Sequence, residues 1–257
     1  MVDRRRRAVL AAALTAGLAA GPSAMAEPAA RRRKAGAATG PRPLASLLGR
    51  EIRRLPTSRR VVALTFNAAW DESGLDTVLA ELRRRKAPAT FFPTGRYAEA
   101  RPGAVRAMAE AGHGLGNHSH SHPYFDDLDT RERAREVRAA DAAIRSASGV
   151  EPLPFFRFPY SSTTEDAVAD VNDLGYAVIE FTNDTKGYLG PDGGMTVDQA
   201  VARAVGSLGP GAVLQMHVGS SAGDGVVLDA QALPQIIDAA VEEGYSIVDL
   251  REFLTAP

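Results

Sequence analysis

Val61-Val62-Ala63-Leu64-Thr65-Phe66, followed by Asn67-Ala68-Ala69-Trp70-Asp71 and an amphipathic stretch over 74–86, decides how the chain is read. The first run is rich in β-formers and reads as a strand, and the stretch after the loop reads as a helix. The same alternation continues downstream. Strands are expected at 61–66, 89–93, 114–118, 154–158, 176–181, 211–216 and 246–248, with helices near 74–86, 103–112, 130–148, 164–174, 196–207 and 230–243. Asp129-Thr130 and Thr163-Thr164 suit helix starts, and Gly149, Gly175 and Gly244 stand where helices should stop. Repeated strand–helix alternation argues for a parallel sheet with helices packed outside. About seven such units fit a closed or nearly closed barrel better than a small open sheet. The expected fold is α/β, a distorted (β/α) barrel of about seven strands in a single domain.

Outward from this region the composition divides the chain. Residues 1–60 carry 14 Lys/Arg against 3 Asp/Glu, although the whole chain has a net charge of only −1. Asymmetry of this kind marks a tail or targeting segment beside a folded, here acidic, domain. An acidic domain is a poor holder of phosphates, so no nucleic acid partner is expected. Arg4 to Arg7, the apolar run Ala8 to Ala20 and Ala24-Met25-Ala26 have the order of a signal peptide over 1–26. The apolar run is short for a membrane span, and Arg6-Arg7 also resembles the twin-arginine type of signal. Residues 27–60, rich in Ala, Pro, Gly and Arg, read as a basic linker with a short helix near Leu44 to Arg54, leaving 61–257 as the domain. A secreted or envelope-associated monomer with no stable membrane span after cleavage is the expectation. With no cysteine, any metal must be held by His, Asp or Glu.

In barrels of this kind the chemistry sits on loops after the C-terminal ends of the strands. Asn67 and Asp71 follow the first strand, His118, His120 and His122 the third, Arg157 and Tyr160 the fourth, Asp184 the fifth and His217 the sixth. His118 and His122 are four apart, so one tight turn aims both rings at one point and His120 elsewhere. Histidines at this spacing are also common as surface or structural residues. Asn117, Ser119 and Ser121 can hydrogen-bond and orient such rings. Arg157 lies in the apolar run Pro154 to Pro159 and needs an anion partner, for chemistry or as a structural ion pair. His217, at the end of Gly211 to Met216, reads as a general acid or base or as a core-edge histidine. Asp184 sits in turn-forming company. Tyr97, Tyr124, Phe125 and Tyr188 are candidates for a sugar groove or for core packing.

At these residues the chain resembles the polysaccharide deacetylase family, the NodB-like carbohydrate esterases, over nearly all of 61–255. His118-Ser119-His120-Ser121-His122 matches its His-Ser/Thr-x-x-His motif, Arg157 to Tyr160 its Arg-x-Pro-Tyr/Trp element, and His217 its Leu-x-His motif, with Gln215 in place of the leucine. Asp184 falls where a further motif supplies an acidic partner. The resemblance implies a divalent metal, zinc being usual, held by an Asp-His-His set. It also implies a catalytic base oriented by Arg157, an oxyanion site at the backbone N–H near Tyr160, and proton donation by His217. The implied substrates are chitin-like polymers, peptidoglycan or acetylated xylan.

The family's first motif, Thr-Phe-Asp-Asp-Gly, is altered to Thr65-Phe66-Asn67-Ala68-Ala69. Asn67 stands in the base position and Ala68 in that of the metal-binding Asp, so Asp71 becomes the candidate third ligand beside His118 and His122. A catalytically impaired glycan-binding protein on the same fold is the alternative. A third reading is an unrelated exported barrel hydrolase whose histidines bind no metal.

Overall fold

A computed structural model describes residues 41–221 and 224–255; the expected signal peptide and linker residues 27–40 lie outside them. Two short strands, β1 (Arg42–Pro43) and β2 (Glu51–Ile52), precede the long β3 (Val61–Ala68). Then follow α1 (Leu75–Arg85), β4 (Thr90–Pro93), α2 (Gly95–Ala100), α3 (Pro102–Glu110), β5 (Gly114–Leu115) and α4 (Thr130–Ser148). The next elements are β6 (Phe155–Phe156), α5 (Glu165–Asp173), β7 (Ala177–Ile179), β8 (Asn183–Asp184) and α6 (Val197–Val205). The chain closes with β9 (Ala212–His217), α7 (Leu228–Glu242), β10 (Ser246–Val248) and β11 (Leu254–Thr255). All seven expected strands and all six expected helices are present within a few residues.

The main sheet runs β5-β4-β3-β9-β8, and β10 pairs with the first half of β3. A second sheet runs β2-β7-β6. Every pair in both sheets is parallel. Single bridges, Asn117 to Phe156 and Arg54 to Ala212, link the two sheets. The fold is therefore a distorted α/β barrel whose circuit is not a continuous ladder of hydrogen bonds.

β3 is buried along its whole length and its side chains alternate between two cores. Val62, Leu64, Phe66 and Ala68 face the helices, against Leu75, Val78 and Leu82 of α1 and Leu233 and Ile236 of α7. Val61 and Ala63 face the barrel interior with Phe92, Phe155, Ile179 and Val213. Thr65 and Asn67 continue that inward row, which ends at the mouth of the barrel.

The helix signals act as read. Asp129 and Glu132 form a reciprocal capping box on α4, Thr164 caps α5, and Gly149 ends α4 at φ 75°. The expected linker is a different matter. Leu47, Ile52 and Leu55 are 0–2% exposed in the interior core. β2 pairs with β7, and β1 pairs with β11. The Pro/Arg-rich composition hid these buried side chains at irregular spacing, with Pro43 buried beside them. Residues 41–60, expected as linker, are therefore part of the folded domain. Among the described residues of that segment, a 3-10 turn, Ala45–Leu47, is the only helical piece, in place of the short helix expected near Leu44 to Arg54.

Candidate active site

The strand ends open into a cleft of about 520 Å³ lined by Asn67, Trp70, Asp71, His118, His122, Tyr160, Asp184, Tyr188 and His217, among others. Arg157 lies directly beneath it, fully buried. Asn67, Asp71, His118, His122, Tyr160, Asp184, Tyr188 and His217 thus share one cleft, whereas His120, Tyr97, Tyr124 and Phe125 do not line it.

The loop bearing the histidines is held from both sides. Asn117 donates its amide to the Val137 carbonyl at 2.9 Å and accepts from the Ser119 N–H at 3.0 Å. Glu136 accepts from the N–H groups of His120 and Ser121 at 2.9 and 2.7 Å and from the Ser121 hydroxyl at 2.8 Å. Ser119 and His122 both take left-handed backbone, φ 64° and 61°. For residues other than glycine this costs on the order of 1–3 kcal/mol each, and such strain gathers at functional sites. The outcome is an Nε2–Nε2 distance of 3.2 Å between His118 and His122. His120 points away, its Nε2 3.1 Å from Glu99. His113 is elsewhere, against Phe91.

His118 Nδ1 lies 2.9 Å from the Arg157 carbonyl. A proton on Nδ1 satisfies that oxygen and leaves the Nε2 lone pair aimed at His122. Burial, reinforced by His122, drives the His118 pKa well below its ordinary value, and burial pushes His122 down to about 4. Both rings are neutral at physiological pH, the form that binds metal. His122 Nδ1 is buried without a hydrogen-bond partner. The two facing Nε2 atoms are of the right kind to hold a divalent cation, which they would bind through two imidazoles. Among the described residues, no group of three His, Asp or Glu side chains is placed to hold a metal. Asp71, expected as the third ligand, lines the cleft but is committed elsewhere. Its carboxylate accepts from the Ser73 hydroxyl and, at 3.0 Å, from the Ser220 N–H, tying the β3 loop to the loop after β9. Ala68 is packed toward the helices.

Arg157 organises the floor. Its guanidinium donates to Asn67 Oδ1 at 3.0 Å, Thr65 Oγ1 at 2.9 Å, and the carbonyls of Ile179 and Glu180 at 3.0 and 3.3 Å, and lies 4.2 Å over the Phe92 ring. Burial pushes its pKa down to about 10, against the pull of Glu180 and then Asp184. Glu180 is fully buried and accepts from the Phe158 N–H at 3.0 Å. Burial raises its pKa, opposed by Arg157. Of the nearby carboxyl groups, Glu180 acts most strongly on Arg157, although the guanidinium hydrogen-bonds its backbone carbonyl rather than its carboxylate. Asp184 instead closes a turn on the Lys186 N–H at 2.9 Å. Asn67 is occupied on both sides, since its amide also donates to Gln215 Oε1 at 3.3 Å.

His217 stands opposite Asn67 in the β3–β9 register. Behind it is Asp229 of α7, fully buried, which accepts from the His217 N–H at 2.8 Å and lies 3.5 Å from its Nδ1. A Cβ on Gly187 would come within 2.2 Å of that carboxylate, so the glycine makes room for it. Tyr160 has φ 58° and is half exposed, beside His122. Tyr188 packs on His217, whereas Tyr97 and Phe125 are core residues.

A polysaccharide deacetylase family model matches residues 54–179. The chain is 31% identical over 196 residues to a chitooligosaccharide deacetylase of Bradyrhizobium sp. (strain ANU 289), covering 73% of this chain and 88% of the relative. A peptidoglycan-N-acetylglucosamine deacetylase of Bacillus cereus is 27% identical, covering 76% of this chain and 68% of the relative. Among solved structures, a family 4 carbohydrate esterase pseudoenzyme from Bacillus anthracis superposes with a TM-score of 0.72 at 25% identity, covering 80% of this chain and 69% of that one. The chain belongs to the polysaccharide deacetylase family.

Proposed function

We propose that the protein is a metal-dependent hydrolase that removes acetyl groups from N-acetylated or O-acetylated polysaccharide of the cell envelope or extracellular space. The facing Nε2 atoms of His118 and His122, in a cleft shared with Asn67 and His217 and floored by Arg157, carry this reading. The names of the relatives point to chitin oligosaccharides and peptidoglycan as substrates. Export by a signal peptide over 1–26 would bring a monomer to them.

His118 and His122 would hold the ion, with zinc expected; once bound, it polarises an acyl carbonyl and lowers the pKa of water. Arg157 fixes Asn67, whose amide can hydrogen-bond that water or the acetamide but cannot take its proton as a carboxylate does. The backbone N–H at Tyr160 would meet the developing oxyanion. His217, with Nδ1 toward Asp229, would present Nε2 to the departing amine as proton donor. Asp71 and Asp184 would hold the loops that frame the acetyl group.

A second reading, glycan binding without turnover, is favoured by Asn67 and Ala68. The pseudoenzyme neighbour gives it a precedent, and a mutant of that protein is described as having restored enzymatic activity. The test is acetate release from chitin oligosaccharides, peptidoglycan fragments and acetylated xylan, with binding of each followed in parallel. Acetate from at least one supports the hydrolase; binding with no acetate from any leaves only the second reading.

A further inference from the structure

Gln215 lines the cleft at 6% exposure, on β9, where the family's motif has leucine. The orientation of its amide follows from its neighbours. A guanidinium can only donate, so Arg157 holds the oxygen of Asn67 toward itself at 3.0 Å. The Asn67 nitrogen then faces Gln215 and donates to its Oε1 at 3.3 Å. What remains at the end of this relay is the amide nitrogen of Gln215, a donor with no acceptor among the described residues. Thr65, beside Gln215 in the β3–β9 register, is already engaged. Its hydroxyl donates to the Leu214 carbonyl at 2.7 Å and accepts from Arg157 at 2.9 Å.

Val213, Gln215 and His217 alternate onto one face of β9, and Val213 belongs to the interior core. Gln215 is therefore one step, about 6–7 Å, deeper than His217. In the proposed reaction His217 addresses the departing nitrogen and the acyl carbon lies at His118 and His122. The sugar, the bulkier part, keeps to the open end. The substituent on the acyl carbon is then the part of the substrate that points down to Gln215. An acetyl methyl there would displace water from the free N–H group and return no hydrogen bond. A hydroxyl on that carbon would supply the acceptor. Asp184, next to Gln215 in the β8–β9 register and in the same cleft, opposes an acyl group that ends in a carboxylate.

Resting on the hydrolase reading above, we infer that Gln215 determines acyl specificity, and that the cleft takes 2-hydroxyacetyl (glycolyl) amides of amino sugars in preference to acetyl amides. The hydrolysis is otherwise the same. The C–N bond breaks, water gives its OH to the acyl carbon and its proton to the nitrogen, and glycolate leaves in place of acetate.

Two chitin tetrasaccharides that differ only in the acyl group, N-acetyl and N-glycolyl, test this on the full chain. Binding is measured by calorimetry with chelator present, and acid release with zinc present. The N-glycolyl tetrasaccharide should bind roughly tenfold more tightly and show a kcat/KM higher by a similar factor. Gln215→Met, which keeps the length of the side chain without its amide, should bring both ratios down to about one. Equal values for the two sugars in the native protein, or native ratios in Gln215→Met, overturn the inference and leave the hydrolase reading standing wherever acetate is released. The native comparison decides the matter even if the variant fails to fold. A binding preference with no acid from either sugar supports the acyl assignment and removes the hydrolase reading. If neither sugar binds or is cleaved, that reading falls and the inference falls with it.

Discussion

Arg157 reaches the site from below, and its contacts explain why Asn67 sits where it does. The amide oxygen of Asn67 occupies the place of a carboxylate oxygen, 3.0 Å from the guanidinium. Asn67→Asp keeps the shape and supplies a proton acceptor beside a cation. Acetate release should then rise by about 10²- to 10⁴-fold, the usual worth of a general base. An unchanged rate would mean that proton transfer to residue 67 does not limit the reaction. Removing the guanidinium should act on the fold as well, because Glu180 would be left buried without its counter-charge. Arg157→Met is expected to cost about 3–5 kcal/mol in urea denaturation, and Glu180→Gln made in the Arg157→Met background should recover part of it. Arg157 was legible because a guanidinium in an apolar strand demands a partner. Glu180, alone in Ala177-Val178-Ile179-Glu180-Phe181, carries the same kind of signal, a charge in an apolar strand. Asp229 gave none, since an acid at the start of a helix is ordinary.

At the scale of elements, alternation carried most of the information. β3, β4 and β9 of the main sheet, and the helices around it, are long enough for periodicity and capping residues to declare them. β2 and β8 are two residues each and have no period to read. The segment over 41–60 misled for a related reason: its buried residues lie among exposed arginines at no regular spacing. Its contribution can be measured. Ile52 is 2% exposed against the barrel interior. Ile52→Ala should destabilise the protein by about 2–5 kcal/mol, as for other core truncations. A loss below about 0.5 kcal/mol, within the range of a surface change, would return the segment to the status of a linker. The third metal ligand is the part of the site that residue spacing reads least well. Counting residues placed Asp71 near enough to replace a missing ligand, but the loop that follows β3 turns its carboxylate to Ser73 and Ser220.

For the whole molecule, the buried histidines set a dependence on acid. Burial holds His113 and His122 down at about 4 and His118 well below its ordinary 6.5. Between pH 6.5 and about 4 the unfolded chain therefore binds more protons than the folded one, so stability falls as pH is lowered through that window. Urea midpoints with chelator present should drop between pH 7 and pH 5. His113→Leu, remote from the cleft, should reduce that drop; an equal drop in the variant would remove His113 from the account. The same neutral state prepares His118 and His122 for a cation, which ties the fold's acid sensitivity to its chemistry. The most direct test joins the two: acetate release from chitin tetrasaccharide by native protein and by the paired His118→Ala, His122→Ala variant, each stripped and reloaded with zinc. The account predicts acetate from the native protein only when zinc is restored, and none from a folded paired variant. Acetate release that survives zinc removal, or that persists in the paired variant, would contradict it.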